Sequence, residues 1–145
     1  DEQCVALRRA LADQDEIDVV AETALAEQAV KLAAALAPDV VLIDVEGYEA
    51  HVLDGAAATL ASRATDFFVE LHSDLDLDAV DSTAHEVMRH FDERHFDVRV
   101  ALADDTPPGL GSDQLLSSWE VAQSGGFEAS GRRCFVVATA RPVNR

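Results

Sequence analysis

PDVVLIDVEGYE, residues 38–49, is the stretch that decides the predicted fold. Its four consecutive apolar residues, VVLI at 40–43, are typical of a parallel strand that is buried on both faces. A proline precedes this run, and an acidic turn that contains a glycine follows it. The sequence therefore predicts a buried strand whose carboxyl end carries three acidic side chains: Asp44, Glu46 and Glu49.

Helical and strand patterns alternate on both sides of this strand. The helical patterns cover residues 2–13, 24–37, 48–62 and 81–96. The strand patterns cover residues 17–21, 39–45, 66–72, 97–103 and 132–140. Because strands and helices alternate with short connections, residues 1–145 are predicted to form one α/β domain, a mostly parallel sheet with flanking helices. The last two strands have no clear helix between them, which predicts an antiparallel last strand.

The charge and length of the chain exclude several classes of partner. The 145 residues suffice for a single domain with a hydrophobic core. The net charge of −17 repels nucleic acid and anionic membranes, so neither is expected as a partner. No apolar run is long enough to span a membrane, and no signal peptide is evident, which favours a soluble, cytoplasmic protein. The acidic, lysine-poor composition is typical of a salt-adapted cytoplasm, although a GC-rich genome produces a similar bias.

Polar residues at the ends of two predicted strands form the candidate site. In open α/β sheets, ligands bind beyond the carboxyl ends of the strands. One strand ends in Asp44-Val45-Glu46-Gly47, and the next ends in Glu70-Leu71-His72. If these strands are neighbours, their acids and histidine surround one crevice. Such a group suits a general base, the orientation of a hydroxyl group or the binding of a hard divalent cation.

Each candidate residue also has a structural interpretation. Asp44 could cap the following helix, and Glu46 and Glu49 lie where a helix dipole favours acidic side chains. His72 could be a hydrogen-bonded histidine at a strand end with no catalytic role. The residues alone leave these alternatives open.

Three motifs, in order along the chain, resemble the C-terminal part of FkbM-family methyltransferases. They are the strand IDVEGYE at 43–49, the helical segment Leu53-Asp54-Gly55-Ala56 and the strand VELH at 69–72. With the closing strand RRCFVVATA, the resemblance covers about residues 38–140. It implies an S-adenosylmethionine-dependent O-methyltransferase with a Rossmann-like fold, which transfers a methyl group to a hydroxyl of a sugar, lipid or polyketide-like small molecule.

The resemblance also implies roles for six residues. The catalytic candidates are Asp44, Glu46, Glu70 and His72. The cofactor-binding candidates are Asp44 and Gly47, the substrate-binding candidate is Glu49, and no residue is assigned to a metal. The family usually has a lysine shortly before the aspartate, where this chain has Leu42.

A second difference from the family lies at the front of the chain. The glycine-rich S-adenosylmethionine loop of the family should precede the helix at 2–13, and the sequence does not contain it. In the methyltransferase sheet, other strands separate those predicted here at 17–21 and 39–45. The expectation is therefore that the chain lacks the first two strands of the full fold, orders its sheet differently, or completes it as a homo-oligomer.

Two alternatives remain beside the methyltransferase. The first half of the chain, up to Val45, also resembles response-regulator receiver domains, with Asp44 as the phosphoacceptor. The sole lysine, Lys31, precedes Asp44, whereas a receiver needs a lysine at the end of its last strand. The other alternative is a non-catalytic interaction module derived from a methyltransferase.

Overall fold

A computed structural model describes residues 16–72, 82–102 and 133–142, together with positions 8, 9, 11, 14 and 119. Its helices are α1 (Ala26–Leu36), α2 (Glu49–Gly55), α3 (Ala57–Ser62) and α4 (Ala84–Met88). Its strands are β1 (Val40–Ile43), β2 (Asp66–Leu71), β3 (Phe96–Leu102) and β4 (Cys134–Ala140). The α/β composition predicted from the sequence is confirmed. Within the described ranges, no helix combines the length and the apolar character needed to cross a membrane.

The four strands form one open sheet in the order β1-β2-β4-β3. β1 and β2 are parallel, whereas β4 runs antiparallel to both β2 and β3. The prediction of an antiparallel last strand is confirmed. The prediction of a mostly parallel sheet is corrected, because β4 lies between two strands that run the other way and makes two of the three pairings antiparallel.

The prediction of a strand at 17–21 is wrong. Residues 17–23 have no regular secondary structure, and the apolar side chains of Ile17 and Val20 are exposed. A strand needs hydrogen bonds from a neighbouring strand, and none of the described strands lies beside this segment. Of the helix predicted at 2–13, only positions 8, 9 and 11 are described, and all three are helical.

Two predicted helices are shorter or divided in the structure. The helix predicted at 48–62 divides at Ala56, whose N–H donates to the carbonyls of both Val52 and Leu53 at 3.0 Å. The helix predicted at 81–96 ends at Met88, and turns follow it up to β3.

The core lies between one face of the sheet and the helices α2 and α4. The side chains of Phe67 and Val69 project from β2 into this core, and both are almost completely buried. The rings of Phe67, Phe91 and Phe96 contact one another with centroids 5.6–6.1 Å apart. Leu53 of α2 belongs to the same cluster. The sheet is therefore held against α2, the helix that directly follows the acidic turn.

β1 is an edge strand of the described sheet. Its only partner among the described strands is β2, and its side chains Val40 and Leu42 are 57% and 47% exposed. The apolar run VVLI led us to expect burial on both faces, and only Ile43 is fully buried. The acidic turn that follows β1 thus begins at an edge strand of the described sheet.

Candidate functional site

The parallel pairing of β1 and β2 brings the two acidic sequence motifs together. Ile43 is paired with Val69, so the chain leaves both strands at the same edge of the sheet. Asp44 directly follows β1, and His72 directly follows β2. The crevice predicted from the strand ends is therefore the place where these side chains meet.

A tight turn between β1 and α2 directs the acidic side chains. Glu46 and Gly47 have φ angles of 50° and 98°, both in the left-handed region. Glycine adopts such a φ without a steric penalty, and this explains the glycine at position 47. The N–H of Gly47 donates to Glu49 Oε1 at 3.0 Å. Gly47 thus shapes the turn, and its N–H is already used within the chain.

Glu49 and His72 form a buried pair behind the turn. Their exposed fractions are 0% and 2%. His72 Nδ1 lies 2.7 Å from Glu49 Oε1 and, facing a carboxylate, donates to it. This hydrogen bond raises the pKa of His72, and the attraction of the nearby carboxylates adds to it, against the opposing effect of burial. The pair therefore favours a protonated His72.

The other side of His72 faces a more exposed carboxylate. Its Nε2 lies 3.2 Å from Glu46 Oε2, but the two atoms are not aligned as a hydrogen bond. The Glu46 side chain is 56% exposed. Glu46 therefore connects the buried pair to the open side of the site.

Arg133 is a member of the site that the sequence did not reveal. Its Nη1 lies 3.0 Å from Glu70 Oε1, and its Nη2 lies 3.7 Å from Glu46 Oε2. Leu71 is paired with Cys134, so the residue before β4 lies opposite His72. The sequence indicates that the last strand could pair antiparallel with the strand at 97–103, and the further pairing of β4 with β2 is what brings Arg133 here. Asp44, Glu46, Glu49, Glu70, His72 and Arg133 are named the strand-end cluster below.

Asp44 is the carboxyl group of the cluster whose ionisation is disfavoured. Burial raises its pKa, and the negative charges of Glu70 and Glu46 raise it further. His72 and Arg133 act in the opposite direction. Asp44 Oδ1 is inaccessible to solvent and has no hydrogen-bond partner in the described part of the chain. Asp44 therefore combines a buried oxygen that lacks a hydrogen-bond partner among the described residues with a raised pKa.

An open groove of about 660 Å³ adjoins the acidic turn. It is lined by residues 24–28 at the start of α1, by Lys31, and by Val45 and Tyr48 of the turn. Its volume falls within the range of small-molecule sites, and its lining is largely apolar. The strand-end cluster and this groove are thus two distinct features that share the turn between β1 and α2.

All six candidate residues from the sequence lie at this edge of the sheet. Asp44, Glu46, Glu70 and His72 interact with one another or with Arg133, and Gly47 and Glu49 hold the turn and the histidine. Among the residues that the structure describes, no three His, Cys, Asp or Glu side chains are grouped so that they could hold a metal ion.

Compared with known proteins, the chain matches no family model, no curated protein and no solved structure. Function is therefore argued from the site, since a fold by itself does not determine an activity.

Proposed function

We propose that this chain carries the acceptor-binding and proton-accepting residues of an S-adenosylmethionine-dependent O-methyltransferase of the FkbM type. One observation carries the proposal. The motifs IDVEGYE and VELH, which suggest this family in the sequence, converge on one cluster at the carboxyl ends of two parallel strands. That is where an open α/β sheet binds its ligands.

The arrangement of the strands favours this proposal over a receiver domain. The chain has no clear helix between its last two strands, and β4 is antiparallel to both of its neighbours. A receiver has an all-parallel, doubly wound sheet. A strand inserted antiparallel between β2 and β3 does not fit that pattern.

The residues around the turn are compatible with a bound S-adenosylmethionine. The groove beside Val45 and Tyr48 is largely apolar and large enough for part of such a molecule. Asp44, a cofactor-binding candidate, is half-buried next to this turn, and its inaccessible Oδ1 has no hydrogen-bond partner in the described part of the chain. The role proposed for Gly47 is to shape the turn, because its N–H is bonded to Glu49. When bound, S-adenosylmethionine supplies the electrophilic methyl group.

Asp44 is the proposed general base. A carboxylate oxygen of Asp44 would accept the hydrogen bond of the acceptor's hydroxyl and then its proton. S-adenosylmethionine, when bound, would supply the methyl group to the hydroxyl oxygen by breaking its S–CH3 bond, and would leave as S-adenosylhomocysteine. A carboxylate with a raised pKa is a better base at neutral pH than an ordinary one. The protonated Asp44 then returns the proton to solvent.

The other members of the cluster position the reacting groups. His72 is held by Glu49 and favours its protonated form, so it is better suited to fixing Glu46 than to accepting a proton. Arg133 bonds Glu70 and partly offsets the negative charges around Asp44. Glu49, a substrate-binding candidate in the sequence, is completely buried and acts through His72 and Gly47.

The first test is a calorimetric titration of the chain with S-adenosylmethionine at high salt, with its mass in solution measured in parallel. Saturable binding that is lost or weakened in Asp44→Asn and retained in Glu93→Gln, an exposed glutamate outside the cluster, would support the proposal. A folded chain with no binding as a monomer or as an oligomer would contradict it.

The same sample separates the two alternatives. A receiver would take up a phosphoryl group on Asp44 from acetyl phosphate, which mass spectrometry detects and Asp44→Asn abolishes. An interaction module would do neither: the folded chain would bind no S-adenosylmethionine and would not become phosphorylated.

A further inference from the structure

The outer edge of β1 carries backbone groups that no described strand pairs with. Among the described strands, β1 pairs with β2 alone, and the carbonyl of Asp39 accepts from the N–H of Asp66 at 2.8 Å. In a parallel ladder, alternate residues of a strand turn their N–H and C=O groups to opposite sides. Because Asp39 is turned towards β2, Val40 and Leu42 turn their backbone groups away from it. Such an edge is a template for the addition of another strand.

The side chains along this edge are apolar on the face of the sheet that is turned away from α2 and α4. Val40 and Leu42 are about half exposed. Leu42 is paired with Phe68, and the half-buried ring of Phe68 contacts that of Phe135 with centroids 5.5 Å apart. Paired residues of neighbouring strands point to the same face of a sheet. An added strand therefore lies beside a continuous apolar strip.

The charges at the two ends of β1 are negative. The four residues of β1 are all apolar. Asp39 precedes them and is exposed, whereas Asp44 and the exposed Glu46 follow them. Arg133, at the carboxyl end of the parallel pair, already bonds Glu70. In a chain with a net charge of −17, this edge attracts a basic partner and repels an acidic one, a second copy of this chain included.

We propose that the outer edge of β1 binds an extended segment of a partner protein, with apolar side chains at alternate positions and basic side chains at both ends. The segment adds to the sheet as a further strand. Its backbone groups bond those of Val40 and Leu42, its apolar side chains extend the strip on the sheet, and its basic side chains lie near Asp39 and Asp44. This binding does not depend on the proposed methyl transfer.

A short capped peptide tests the proposal with the full chain. In the peptide, valines alternate with threonines between two terminal lysines. Calorimetry is expected to show saturable binding. In the ¹⁵N-labelled protein, hydrogen exchange at the amides of Val40 and Leu42 should slow by about tenfold or more at saturation. The amides of Val41 and Ile43 face β2 already and should change little, which distinguishes addition at this edge from binding elsewhere.

Altered peptides separate the contributions of backbone pairing and of charge. Alternate amides of an added strand face β1, so N-methylation of the valines and N-methylation of the threonines should differ: one should abolish binding and the other should retain it. Replacement of both lysines by glutamates keeps the backbone and should weaken binding by about tenfold, equivalent to about 1.4 kcal/mol. Equal binding by the glutamate peptide, or loss of binding in neither methylated peptide, would contradict the proposal.

A matched pair of variants places the binding site on β1. Leu42 and Leu36 are both 47% exposed, and Leu36 lies on α1. Leu42→Lys puts a positive charge on the edge itself, a substitution of the kind that protects natural edge strands, and should abolish binding of the lysine peptide. Leu36→Lys adds the same charge to the helix and should leave binding unchanged. Circular dichroism checks that both variants are folded.

Three results would overturn the proposal. The first is a folded chain that does not bind the lysine peptide, and the second is binding that persists in Leu42→Lys. The third is an unaltered chain that is dimeric in solution and becomes monomeric in Leu42→Lys, because a second copy of the chain would then be the occupant of the edge.

Discussion

At the scale of single residues, Asp44 is a site where function and stability oppose each other. Its half-buried carboxylate lies in the field of Glu70 and Glu46, and its pKa is therefore raised. A group whose pKa is higher in the folded than in the unfolded state stabilises the fold below its unfolded value of 3.8. This contribution is lost as the pH rises through the folded pKa. An ionised Asp44 thus destabilises the chain at neutral pH.

Asp44→Asn is accordingly expected to stabilise the fold while abolishing methyl transfer. Asparagine keeps the shape of the side chain and carries no charge. The gain in unfolding free energy should be less than about 1 kcal/mol, because solvent screens a half-buried group. Urea denaturation at about pH 4 and about pH 7 measures it. An equal effect at both pH values, or a loss of stability at neutral pH, would refute the assignment of a raised pKa.

Glu49→Gln tests the buried pair. The pKa of His72 is raised chiefly by its hydrogen bond to Glu49, so the pair stabilises the fold fully below the unfolded histidine value of 6.5. That stabilisation is lost as the pH rises through the folded pKa. The variant should lower the pKa of His72 and cost about 1–3 kcal/mol of unfolding free energy in mildly acidic solution. A proton NMR titration of the histidines measures the first effect.

The matched control for that variant is Glu27→Gln. Glu27 is exposed and, among the residues that the structure describes, pairs with Lys31 four residues along α1. Its substitution should leave the His72 titration unchanged and alter stability by less than about 0.5 kcal/mol. If Glu49→Gln leaves the His72 titration unchanged too, the buried pair does not control this histidine.

At the scale of secondary-structure elements, Gly55 explains part of the motif Leu53-Asp54-Gly55-Ala56. A Cβ atom at position 55 would lie 2.9 Å from Val30 Cγ2, closer than carbon atoms tolerate. The glycine ends α2 where α1 packs against it. Val30 is β-branched and cannot easily rotate away in its helix.

The effect of Gly55→Ala on stability should depend on the side chain at position 30. Gly55→Ala is expected to destabilise the chain by about 1–3 kcal/mol through overpacking, despite the better helix propensity of alanine. In a Val30→Ala background, which removes the clashing methyl groups, Gly55→Ala should be neutral or stabilising. Thermal unfolding of the four proteins in the double-mutant cycle measures the coupling. Additive effects would show that the contact does not limit residue 55.

At the scale of the whole molecule, the net charge of −17 opposes the folded state. Like charges on a compact chain repel, and dissolved salt screens them over a Debye length of about 8–10 Å at 0.10–0.15 M. We expect the Tm to rise by about 5 °C or more between dilute buffer and about 1 M KCl, corresponding to about 1 kcal/mol for a domain of this size. NaCl at equal ionic strength should give the same gain. A Tm independent of salt would contradict the role of self-repulsion.

Much of the fold was predictable because local patterns produce local structure. The runs at 39–45 and 66–72 became β1 and β2, since apolar strands flanked by turns have few alternatives. The strand predicted at 17–21 is absent from the structure, because strand formation also depends on residues elsewhere in the chain. Its pattern is compatible with a strand, but a strand exists only when a neighbour supplies hydrogen bonds. Such neighbours are set by tertiary contacts.

The candidate site was also predictable only in part from the sequence. Asp44 and Glu46 follow one strand, and Glu70 and His72 lie at the end of the next, so the sequence itself marks all four positions. Arg133 was not found, because it reaches the site through the pairing of β4 with β2, across more than 60 positions of sequence. The raised pKa of Asp44 was equally hidden, since it depends on burial and on the charges of residues on other elements.

By itself, the sequence determined the strands of the parallel pair, the polar residues at their ends, the acidic character of the chain and the antiparallel direction of its last strand. Only the tertiary structure decided the position of that last strand, the membership of Arg133 in the site and the division of the cluster into a buried pair and an open, acceptor-rich side. The physical reason is the distance along the chain over which each effect acts. Propensity and periodicity act within a few residues, whereas strand pairing, burial and charge interactions join residues that are distant along the chain.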